Sequence, residues 1–147
     1  MRRADGMRLA ANAVNTSTLL GLIIGVVGGS TFTAGPDGLI LGYRYRLPVP
    51  PAPAFTVGNV VIHRDGPAVH DRRPTLLTHE SRHATQYALC IGPLMLPLYL
   101  LAAAWSWIRT GDTWSRNIFE TRAGLLDGGY REHPLRSVFQ RGRGRRP

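Results

Sequence analysis

The chain has 147 residues, with 18 arginines and no lysine against nine acids, for a formal charge of +9. That length holds one domain's core but not two full domains, and 44% hydrophobic against 18% charged residues is too apolar for a disordered tail. A single cysteine, Cys90, excludes an intrachain disulfide framework and any multi-cysteine zinc or iron–sulfur site.

The N-terminal segment, residues 1–29, begins with the basic run Met1-Arg2-Arg3 to Arg8 and continues into an uncharged stretch centred on Leu19–Val27. Two readings stand for it. One is a signal or anchor, against which Phe32 sits badly where a cleavage site wants a small residue. The other is a buried helix or strand that stops at Gly28-Gly29. Residues 30–46 predict a hairpin, because Gly35-Pro36-Asp37-Gly38 carries turn chemistry between two strand-like runs. The proline-rich run 48–54 predicts a stiff extended connector. Phe55–His63 is rich in β-branched residues and predicts one strand. Residues 64–74 predict a polar loop.

Three helices are expected after it, over 75–90, 93–107 and from about Asn117 to Asp127-Gly128-Gly129, where glycine ends a helix readily. Gly92-Pro93 should separate the first two. The fold class expected is therefore α+β: short N-terminal antiparallel strands followed by three helices. Residues 30–134 form the expected domain, and 135–147 an Arg-rich flexible tail. No aromatic is interleaved with the arginines of 141–147, so nucleic acid is not an expected partner.

Residues 84–108 carry no charge. The helix expected from Pro93 to Trp107 is about 22 Å long, short of a hydrocarbon core of roughly 30 Å. It is apolar all round, which places it either in the core or against a membrane surface, with Trp105, Trp107 and Arg109 suited to an interface. A membrane-associated or cytoplasmic location is expected.

The chemistry lies in His79-Glu80-Ser81-Arg82-His83, an H-E-x-x-H pattern that this composition produces by chance about 0.003 times. At 3.6 residues per turn both imidazoles face one side of a helix, as a single Zn²⁺ requires, and Glu80 can reach a zinc-activated water without being a ligand. Gln86 lines the same face, and Arg82 is a candidate for a substrate carboxylate. A catalytic zinc needs a third protein ligand. His63, His70, Glu132 and His133 are candidates, as is Glu120. Glu120 has a competing role, since Asn117-x-x-Glu120 also spells a capping box. Tyr130, His133 and Tyr87 are candidates for an oxyanion donor.

His79-Glu80-x-x-His83, with a later helix carrying Asn117-x-Phe119-Glu120-x-x-Ala123, resembles the gluzincin branch of the zincin metallopeptidases, in its minimal form. The resemblance covers residues 55–127, and His-Glu-x-x-His-x-x-Gln, here with Gln86, recurs in such domains. It implies a zincin-like core and Zn²⁺ held by His79, His83 and Glu120, with Glu80 as general base acting on a peptide or protein substrate. It also implies that the strand Phe55–His63 runs along the cleft and pairs with that substrate. In known gluzincins an Asp one turn after the ligand Glu orients a zinc histidine. Gly124 stands there, and Asp127, on the same helix face, is the nearest alternative. The rival expectation is an inactive, membrane-associated binding or scaffold protein on the same fold, in which any metal is structural.

Overall fold

The computed structural model describes residues 2–140, so the Arg-rich stretch 141–147 lies outside the described residues. The chain divides into two compact units, one ending at Met95 and the other starting at Leu96.

The first unit begins with two helices, α1 (Arg3–Val14) and α2 (Ser17–Val27). Four strands follow: β1 (Thr31–Ala34), β2 (Ile40–Tyr43), β3 (Ala54–Val57) and β4 (Val60–His63). A single turn, α3 (Val69–Arg72), precedes α4 (Leu76–Leu89). The sheet order is β1-β2-β4-β3, with β1/β2 and β3/β4 antiparallel and β2/β4 parallel. The fold is therefore α+β with a mixed sheet.

Strand β4 is central, and all four of its residues are buried. Its side chains alternate between two cores, as a pleated strand requires. Val61 joins Leu41, Tyr43, Ala54 and the helix residues Leu76 and Ala84 on one face. Val60 and Ile62 join Tyr45 on the other, where Leu22 and Ile24 of α2 pack. Each fully buried Val or Ile contributes about 1.5–3 kcal/mol relative to exposure. The same alternation puts Thr56, paired with Val61, on the face toward α4.

Helix α1 is joined to this core by polar contacts. Asn12 Nδ2 donates to Asn59 Oδ1 at 3.1 Å and to the Ala84 carbonyl of α4 at 2.8 Å. Downstream, Arg64 holds the proline-rich connector, donating to the carbonyls of Ala52 (2.9 Å) and Leu47 (2.6 Å).

Several expectations are corrected. Two helices precede the strands, and β2/β4 pair in parallel, so the order is not antiparallel strands followed by three helices. The run Phe55–His63 is a hairpin rather than one strand, turned at Gly58-Asn59 with Gly58 at φ +62°. The polar loop 64–74 contains α3.

The second unit contains α5 (Met95–Thr110, continuing from the last residue of the first unit), α6 (Ile118–Ala123) and α7 (Ser137–Gln140). A 3-10 turn at Gly92–Leu94 separates α5 from α4. Helix α6 stops at Gly124, whose N–H bonds to the Thr121 carbonyl, rather than at Gly128-Gly129. Asp127 therefore lies beyond the end of the helix. Among the described residues no single helix is long and apolar enough to cross a membrane.

Candidate metal centre

Helix α4 supplies the two histidines. His79 and His83 are one turn apart and buried, with their Nε2 atoms facing each other at 3.1 Å. The other nitrogen of His83, Nδ1, lies 2.8 Å from Gln86 Oε1. An amide oxygen only accepts, so Nδ1 carries the proton and leaves Nε2 with a lone pair to donate to an ion. Gln86, a candidate substrate contact from the sequence, is thus placed on the histidine ring. Arg82, between the two histidines, is exposed.

Glu80 is buried, 3% exposed. Thr56 Oγ1 donates to its Oε2 at 2.7 Å, from the β3 residue that the pleat turns toward α4. Burial of a carboxylate is costly without such a donor.

Helix α6 supplies Glu120, also buried. Its N-terminus is capped by Asn117, whose Oδ1 accepts from the Phe119 N–H at 3.0 Å. The other half of a capping box is absent: the Asn117 N–H goes to the Trp114 carbonyl, and Glu120 Oε1 accepts from the Tyr99 hydroxyl of α5. The carboxylate is turned away from the cap and held by a phenol.

One ligand atom from each of His79, His83 and Glu120 lies within 4.8 Å of the others, close enough to hold one metal ion. Two imidazole nitrogens and one carboxylate oxygen are the donor types of a three-ligand divalent site.

His63 and His70 gather around Tyr43: the His63 ring stacks on Tyr43, and His70 Nε2 is 2.9 Å from the Tyr43 hydroxyl. Burial, with the nearby His70, pushes the His63 pKa down to about 4, and burial raises that of the Tyr43 phenol. Tyr87 is buried in α4, its phenol pKa raised by desolvation. Tyr130 stacks on Trp114 with ring centroids 5.2 Å apart. Glu132 pairs with Arg116 at 2.6 Å, and the His133 N–H donates to Ser115 Oγ.

Thr56 and Tyr99 are the site residues that sequence reasoning missed. Thr56 carried a weak signal, since β-strand alternation fixes its face once the hairpin is recognised. Tyr99 carried none, because an uncharged helix gives no reason to single out one phenol. Comparison with models of known families, with curated proteins and with solved structures gives no match.

Proposed function

We propose that the chain is a small zinc-dependent hydrolase of the minimal gluzincin kind, acting on peptide bonds. The observation that carries this reading is the convergence of His79, His83 and Glu120 with a buried glutamate, Glu80, beside the first ligand in sequence and engaged by Thr56. A merely structural zinc site has no use for that second acid.

Zn²⁺ held by His79, His83 and Glu120 would supply Lewis acidity, polarising a carbonyl and acidifying water at neutral pH. Glu80 accepts a proton from the attacking water and hands it to the departing amine nitrogen, so the amide C–N bond breaks as the new C–O bond forms. Thr56 holds the Glu80 carboxylate in one orientation through that exchange. Gln86 and Tyr99 orient His83 and Glu120 and take the place of the Asp that known gluzincins carry one turn after the ligand Glu. Strand β3, at the sheet edge and packed on α4, is the element that would pair with an extended substrate.

The test is Glu80→Gln against wild type on a peptide library, with zinc measured in both. The reading expects zinc to be retained and cleavage lost. Identical cleavage profiles would overturn it.

A further inference from the structure

Helix α5 is inside out. Its inward stripe, Met95, Tyr99, Ala102 and Ser106, contains its mid-helix polar groups. Tyr99 bonds to Glu120, and Ser106 Oγ donates to the Asp112 carbonyl at 2.7 Å and accepts from the Arg116 N–H at 2.8 Å. The outward arc is apolar throughout and includes Leu96, Leu98, Leu100, Leu101, Trp105 and Trp107, all exposed, with Leu101 at 68%. At 3.6 residues per turn this arc spans about 200° of the helix. An ordinary surface helix has the opposite pattern, with apolar side chains inward and polar ones outward.

We propose that α5 seats its outward arc in the hydrocarbon of a lipid bilayer. The width of the arc selects this occupant. A protein groove or a second copy covers one stripe of a helix, whereas fluid acyl chains cover every outward direction. The C-terminal end of the helix fits a headgroup layer. Arg109 lies over the Trp105 ring at 5.7 Å and Arg136 over Trp107 at 5.3 Å, combining interfacial indoles with cations that meet lipid phosphates. The formal charge of +9 complements anionic headgroups. At 16 residues α5 is about 24 Å long, so it dips into the bilayer rather than crossing it. Helix α2, which packs Leu22 and Ile24 on the core, also leaves apolar residues outside. Its small residues Ser17, Gly21 and Gly25 face inward, and a Cβ on Gly21 would stand 2.4 Å from the Val57 carbonyl, while Leu19, Ile23 and Val26 are exposed.

The experiment is flotation of the full chain with vesicles of phosphatidylcholine alone or with added phosphatidylglycerol, at low and high salt. Wild type is compared with a Leu100→Asp/Leu101→Asp double variant. Both positions are exposed, so the variant keeps its circular dichroism spectrum and its bound zinc. Wild type is expected to float with both vesicle types, more strongly with the anionic one, and to show a blue shift of tryptophan emission. The variant's bound fraction should fall about tenfold or more. Wild type remaining at the bottom of the gradient, a variant that floats equally, or binding abolished by salt would overturn the proposal. So would a detergent-free dimer that the double variant splits.

Discussion

The hydroxyl of Thr56 lies 2.7 Å from Oε2 of Glu80, joining the edge strand β3 to the helix that carries both histidines. In the proposed hydrolase Glu80 is the base, and proton transfer is sensitive to small displacements, so the contact is expected to have a kinetic consequence. Thr56→Val removes the donor at nearly constant volume. Peptide cleavage should fall about ten- to a hundredfold, with bound zinc unchanged. Thr56→Ser should recover most of the rate. Loss of zinc in Thr56→Val would instead assign the residue to the stability of the site.

Tyr99 and Gln86 contact the candidate ligands themselves. Tyr99→Phe removes the donor to Glu120, and Gln86→Leu the acceptor for His83 Nδ1. Each should weaken zinc binding about 10–100-fold in a chelator competition titration. Unchanged affinity in both variants would leave the outer contacts without a role.

His63 is expected to give the fold a pH dependence separate from the candidate metal centre. It is fully buried, stacked on Tyr43, and neighboured by His70 and Asp65, with its pKa near 4 against an ordinary 6.5. The unfolded chain binds the proton as pH falls through 6.5, and the folded chain only near 4. Stability is therefore full above pH 6.5 and is lost as pH falls toward 4, by about 3 kcal/mol in total from this group. Urea denaturation in chelator from pH 7 to 4 should show that loss, and His63→Phe should flatten it. Parallel curves for the two proteins would refute the assignment.

Asn12 tests whether α1 belongs to the core. Its amide donates to Asn59 and to the Ala84 carbonyl, and it is 0% exposed. Asn12→Ala leaves both acceptors buried without this donor and should cost about 2 kcal/mol in urea denaturation. A change below about 0.5 kcal/mol would make α1 an appendage.

How much of this was legible in the sequence depended on the range of the interaction. The facing of His79 and His83 follows from helical periodicity alone, and the structure places them so. The end of α6 at Gly124 and the turn at Gly58-Asn59 also carried local signals, but each was outweighed by a longer-range pattern: Gly128-Gly129 downstream, and the unbroken β-branched run 55–63. The parallel β2/β4 pairing had no local signal, since it joins segments separated by the proline-rich connector and β3. The two roles open to Glu120, ligand or cap, could not be separated from Asn117-x-x-Glu120, because both fit the same spacing. Tyr99, 21 residues away, turns the carboxylate from the cap.

Elemental analysis of purified protein tests whether His79, His83 and Glu120 make a metal centre. Wild type and a His70→Ala control should each carry about one zinc per chain. His83→Ala and Glu120→Ala should lose it while keeping their circular dichroism spectra. Wild type without metal, or variants that carry as much zinc as wild type, would rule out a metal centre at these three residues.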